Sequence, residues 1–145
     1  MAALSSGRAP APDPILYLPA GPGRDGFLVL GLPDGSVLPV ALTAAKARLL
    51  VALGQALEED AELVWAARGW RRPERLAEVV AGDDYPVEAQ TVRAYLSQIK
   101  RSIRAAAAAS GKGLPPPLLE HRRSIGVRVG CEHFQVIDGT RGGRR

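Results

Sequence analysis

The chain has a single cysteine, Cys131, in 145 residues. A lone thiol cannot close an internal disulfide, so a reducing compartment is expected, with the cytoplasm as default. Histidine is nearly as scarce: His121 and His133 are the only two. With Cys131 they make three soft ligands on two different strand-like segments, where a structural zinc site wants four, so no metal is expected. Cys131 and His133 stand two apart and would share a strand face, but no third group orients a base, and a nucleophile–base pair is set aside. No apolar run approaches the roughly 20 residues that span a bilayer. The opening MAALSSGRAPAPDP has no continuous apolar segment of the secretory kind. SGKG at 110–113 lacks both the spacing and the preceding strand of a phosphate-binding loop. No internal repeat is visible, and no carboxylate pair stands apart from ordinary surface acids. Neither catalysis nor a cofactor is expected.

What is present suffices for one α+β domain. Hydrophobic residues make up 46% of the chain, enough for a core at this length. The formal net charge of +4 hides an asymmetry. Residues 91–145 carry eleven Lys and Arg against three acids, giving +8, whereas residues 1–90 carry −4. Omitting Arg141, Arg144 and Arg145 of the terminal GTRGGRR still leaves +5 between 91 and 140. A chain polarised this way offers one surface suited to a polyanion.

Residues 1–14 read as a flexible arm and 139–145 as a disordered basic tail, with one domain at 15–138 between them. ILYL (15–18), FLVLGL (27–32) and SVLPVAL (36–42) are short β-prone runs separated by GPGRDG and PDG turns, which predicts a three-stranded antiparallel sheet over 15–42. Helices are expected within 43–109. Thr43 can cap the first, whose inward stripe is Ala45, Leu49, Leu53 and Leu57, widened by Leu50 and Ala56. EEDAELVWAARGW (58–70) either prolongs that helix or forms a strand and turn, ending at Gly69. Its two tryptophans, Trp65 and Trp70, bring much area to a chain with only 5% aromatics, and burial is their commoner fate. Pro73 opens the second helix, with Leu76, Val79 and Val80 inward and Gly82 at its end. Pro86 marks the start of the third, with Glu88 in its first turn. LLEHR (118–122), GVRVG (126–130) and HFQVI (133–137) read as strands after the stiff LPPP connector, with RRSIG as a hairpin tip.

The third helix, VEAQTVRAYLSQIKRSIR, is the informative one. Val92, Leu96, Ile99 and Ile103 recur at spacings of 4, 3 and 4 and make an inward stripe. Gln90, Arg93, Ser97, Lys100 or Arg101, and Arg104 make the opposite stripe, with almost no acid at i,i+4 to pair the cations. An α-helix fits the DNA major groove, where phosphate oxygens and purine edges accept from long donors. Arg93, Lys100, Arg101, Arg104, Arg122 and Arg123 are such donors on two neighbouring elements. Gln90, Ser97 and Gln98 are shorter polar groups able to read base edges. A face kept charged only for solubility is the bland alternative.

Three helices followed by a basic hairpin is the layout of a winged helix-turn-helix, and the sequence resembles the OmpR/PhoB-type DNA-binding domain of bacterial response regulators. The matching words are LTAAKARLLVAL, RRPERLAEVVAG, VEAQTVRAYLSQIKRSIR and LLEHRRSIGVRV, over about residues 27–130. The resemblance implies a third helix in the major groove and a wing, here within 116–137, at the neighbouring minor groove. It carries DNA contact onto Gln90, Thr91, Ala94, Ser97, Gln98 and Arg101 of the helix, and onto His121 and Arg123 of the wing. The family usually has Gly where Ser124 stands and an aromatic where Val127 stands. It has a shorter link than 58–70, and it ends before the Cys131–Asp138 strand. The 26 residues before the first matched strand are too few for a receiver domain, so aspartyl phosphorylation within this chain is not expected.

The expected function is sequence-specific binding of double-stranded DNA by a cytoplasmic, nucleoid-associated transcriptional regulator, possible as a homodimer on DNA. RNA polymerase or a separate sensor protein is a further expected partner, and no membrane is. Two other readings compete: a winged-helix adaptor for protein partners, and a nucleic-acid-binding subunit without sequence preference.

Overall fold

The computed structural model describes residues 12–19, 25–81 and 87–139. The expected arm at 1–14 and the tail at 139–145 lie almost wholly outside these, as do most of the GPGRDG turn, Gly82 and Pro86. The element order is β1 (Ile15–Leu18), β2 (Gly26–Gly31), β3 (Val37–Leu42), α1 (Ala44–Glu59), α2 (Pro73–Ala81), α3 (Ala89–Ser110), β4 (Leu119–Arg122), β5 (Gly126–Val129) and β6 (Gln135–Asp138). The chain is therefore α+β, with an N-terminal mixed sheet, three helices and a C-terminal hairpin, an architecture compatible with a winged helix.

The N-terminal sheet has four strands, not three, in the order β3-β2-β1-β6. β6 lies parallel to β1, Ile15 opposite Gln135, so the last strand leaves the hairpin and returns to the first sheet. Packing on α1 explains the return. Gly54 lacks a side chain, and a Cβ there would stand 3.1 Å from the Phe134 ring and 3.6 Å from Val136. The gap left in the helix surface thus receives the residues that lead into β6, and β6 covers a β1 edge otherwise left open.

One side of the sheet closes the core. Leu16, Leu28, Leu38 and Val40 bury against Leu49, Leu50 and Leu53 of α1 and Val92, Leu96 and Ile99 of α3. By register, Ala41, Phe27, Tyr17 and Ile137 make one row across the other side, and Pro39, Val29, Ile15 and Gln135 the next. Each fully buried Leu or Ile contributes roughly 1.5–3 kcal/mol, so this three-helix and sheet core is ample to fix the position of α3.

Helix ends depart from expectation in detail. Thr43 is the N-cap residue of α1, but its hydroxyl makes no capping bond; its carbonyl accepts from the Ala47 amide at 2.9 Å. Glu88 is the N-cap residue of α3 rather than a member of its first turn, and its side chain makes no capping bond. Gly111, at φ +71°, ends α3 with its amide donating to the Ala107 and Ala108 carbonyls, the left-handed cap that glycine adopts without penalty. In α2 the buried residues are Leu76, Ala77 and Val80, while Val79 is 51% exposed. At about 100° per residue, positions 76, 77 and 80 share one arc and 79 falls outside it.

The 58–70 segment is neither a longer helix nor a strand. α1 stops at Glu59, Asp60 caps it, and a single 3-10 turn at Trp65–Ala67 follows. The Asp60 carboxylate holds the loop closed, accepting from the Gly69 amide and from Arg71 Nη1, each at 2.9 Å. Gly69 sits at φ +84°, and a Cβ there would come within 2.6 Å of Leu57.

Candidate nucleic-acid interface

Burying Val92, Leu96 and Ile99 turns the polar stripe of α3 outward. Gln90, Arg93, Ala94, Ser97, Arg101 and Arg104 are exposed, while Thr91, Gln98 and Lys100 are half-buried. β4 and β5 pair with Leu119 opposite Val129 and Arg122 opposite Gly126, leaving His121, Arg122 and Arg123 exposed at and beside the tip. Ser124 in the tip has φ +69°. That is a conformation in which glycine is relaxed and other residues are not.

Helix and hairpin face each other across a cleft of about 410 Å³. Arg93, Leu96 and Ser97 line it from α3, and His121, Arg122 and Arg123 from the hairpin. Five of the residues singled out from sequence are thus brought to one place: Arg93, Ser97, His121, Arg122 and Arg123. Lys100 lies close enough to His121 to depress its basicity. Lys100 and Arg104 also border a second cleft, against the Pro115–Pro117 connector. Gln90, Thr91, Ala94, Gln98 and Arg101 lie elsewhere on α3, outside the lining of either cleft.

The electrostatics are those of crowded cations. Burial, and then the neighbouring Arg104, holds the Lys100 ammonium below its usual pKa. Burial, and then Lys100, lowers that of His121.

One acid intrudes. Glu74 in the first turn of α2 pairs with Arg93 at 3.2 Å, so this arginine is not bare as the sequence pattern implies. Both side chains stay more than half exposed, the setting in which an ion pair is weak and easily exchanged.

The groups that hold the hairpin in place carry little signal in the sequence. Arg72, beside the same cleft, donates from Nη2 to the Ser124 carbonyl at 3.1 Å, and so adds a cation to the rim. The Arg71 backbone exchanges two 2.9 Å bonds with Val127, tying the loop before α2 to β5. Arg128 is only 5% exposed. Its Nε donates to Glu120 at 2.7 Å and its Nη1 to the Trp65 and Arg68 carbonyls. Its guanidinium rests on the Trp65 and Trp70 rings, and Arg122 lies 5.4 Å from the centre of the Trp70 ring. Alternation in GVRVG gave the only signal: Val127 and Val129 point inward, so Arg128 must face whatever covers the far side of the hairpin.

Cys131 is a free, partly buried thiol. Burial, with Asp13 and Glu120 nearby, pushes its pKa up to about 12, far above the range of a nucleophile. Among the described residues no cluster of His, Cys, Asp or Glu is placed to hold a metal ion. Nor is any helix among them long and apolar enough to cross a membrane.

No protein-family model, curated protein or solved structure matches the chain.

Proposed function

We propose that the chain binds double-stranded DNA in a sequence-dependent way, as the DNA-contacting part of a transcriptional regulator of the winged helix-turn-helix kind. α3 would lie in the major groove. The hairpin would rest on the adjoining backbone or minor groove, with Arg122 and Arg123 against phosphates. The observation that supports this most directly is the convergence of Arg93 of α3, Arg122 and Arg123 of the hairpin, and Arg72 around one cleft. Phosphate contacts fix orientation and base-edge contacts carry sequence information. In this reading the arginines position the helix while Gln90, Ser97 and Gln98 read.

Anisotropy titration of random and selected duplexes across a salt series tests it. Six paired cations give a log–log salt slope of roughly −5. Arg101→Ala and Arg123→Ala each weaken binding, and unchanged affinity in both refutes the docking. Enrichment of one sequence from a random pool separates specific from indifferent binding.

A second reading has its own support: Leu63 and Val64 are exposed beside Glu58, Glu59 and Glu62 at the loop after α1. An acidic, apolar knob of this kind suits a protein partner. If duplex DNA does not bind at any salt concentration, the adaptor reading takes over.

A further inference from the structure

The connector after α3 carries Pro115, Pro116 and Pro117 in succession, and a proline has a fixed φ and no amide hydrogen to donate. It lies beside the C-terminal half of α3 and closes with it a cleft of about 290 Å³. The connector side is hydrocarbon: the three prolines, Leu114, which is 60% exposed, and the buried Leu118 and Leu119. The helix side is Ile103 with Lys100 and Arg104, two cations one turn apart. Among the described residues neither cation has an ion pair or a hydrogen bond. Burial, and then Arg104, already holds the Lys100 ammonium below its usual pKa.

We propose that this cleft binds a small organic acid, an apolar body that carries one carboxylate. The volume sets the size. It lies at the lower end of the roughly 300–1,000 Å³ typical of small-molecule sites, and no folded partner fits inside it. The walls set the body. Hydrocarbon placed between Ile103, Leu114 and the prolines gains by leaving water, whereas a sugar–phosphate strand has little to put there. The cations set the head group. A carboxylate can accept from the planar fork of Arg104 through two oxygens and from the Lys100 ammonium. Partial desolvation at Lys100 strengthens that pairing, and stiff proline walls keep the ordering cost of binding low.

The site lies on the helix proposed to enter the major groove, so loading it has a consequence that rests on the DNA-binding reading. Lys100 and Arg104 are two of the donors offered to phosphates, and a bound carboxylate takes both. Organic acid and DNA then oppose each other, each weakening the other by the same factor.

Titration of the full chain with hexanoate, without DNA and followed by amide NMR spectra, is the test. Saturable shifts centred on Lys100–Arg104 and Leu114–Leu119 are expected. Hexanol, the same body without charge, and acetate, the same charge without the body, should each bind about tenfold more weakly or worse. Lys100→Gln and Arg104→Gln should each weaken hexanoate about fivefold or more. Arg104 is exposed, so its variant stands in if the other loses the native spectrum. No saturable shift, shifts centred away from the cleft, hexanol binding as well as hexanoate, or affinity unchanged in the folded variants overturns the inference. With no DNA present, such a failure is distinct from failure of the DNA-binding proposal. In the anisotropy titration, saturating hexanoate should lower the logarithmic salt slope by about 1.8 relative to equal acetate, the loss of two phosphate contacts. An unchanged slope overturns the opposition between the two ligands.

Discussion

The guanidinium carbon of Arg128 stands 4.0 Å from the centre of the Trp65 ring. With Trp70 at 4.5 Å and two loop carbonyls bonded to Nη1, this single side chain fastens the loop after α1 to the hairpin. Its planar fork serves stacking and hydrogen bonding at once, which a lysine cannot do. Arg128→Lys should therefore cost about 1–3 kcal/mol by leaving partly buried carbonyls unpaired and the rings uncovered. Urea unfolding followed by tryptophan fluorescence reads both the loss of stability and the altered ring environment. A variant as stable as wild type would show that the loop is held by something else.

Gly126 occupies φ +134°, and a Cβ there would collide with the Arg71 carbonyl oxygen. Gly35, at φ +88°, has open space around its missing side chain. The pair separates backbone strain from collision. Gly35→Ala should cost only the conformational penalty, about 1–2 kcal/mol. Gly126→Ala adds the loss of the Arg71–Val127 bridge, and it should both destabilise further and weaken any DNA binding that depends on the hairpin. Equal losses in thermal melts of the two variants would contradict the bridge.

Asp60 bears on acid stability. The hydrogen bond from Arg71, helped by the Gly69 amide, holds its carboxyl below the ordinary 3.8 despite partial burial. A carboxylate with a depressed folded-state pKa binds fewer protons folded than unfolded near that range. Its stabilisation is thus fully present above the unfolded value and is lost as pH falls through the folded one. Asp60→Asn removes it at every pH. The stability gap between wild type and variant should be widest near neutrality and close in acid, as measured by denaturant unfolding at a series of pH values. A gap that does not change with pH would assign the effect to packing.

Most elements and their order were legible because apolar spacing alone dictates them. Val92, Leu96 and Ile99 had to face inward whatever they pack against. Strand partners were not legible, since β6 finds β1 through a gap at Gly54 that no local pattern announces. The same limit applies to the site. Arg93, Ser97, Arg122 and Arg123 advertise themselves by charge and period. Arg72 and Glu74 enter the cleft only because α2 begins beside the hairpin tip. Arg128 reads as one more surface cation until the Trp65–Trp70 loop is folded over it.

Glu74 provides the sharpest separation between a DNA-binding cleft and a merely solvated one. Its pair with Arg93 is exposed on both sides, so it adds about 0–1 kcal/mol to folding, and Glu74→Gln should leave stability nearly unchanged. On DNA the same carboxylate would sit among phosphates, repelling them and occupying a cation they could use. Removing its charge should tighten binding roughly three- to tenfold at low ionic strength and steepen the logarithmic salt slope by about 0.9, the signature of one added phosphate contact. The gain should fade as salt rises and the screening length drops below about 10 Å. Arg93→Ala should weaken binding, and in the double variant most of the benefit of Glu74→Gln should vanish, because the freed arginine is what delivers it. Anisotropy titrations of the four proteins at two salt concentrations suffice. If Glu74→Gln binds no better than wild type, Arg93 does not meet a phosphate, and the docking of α3 in the groove has to be redrawn.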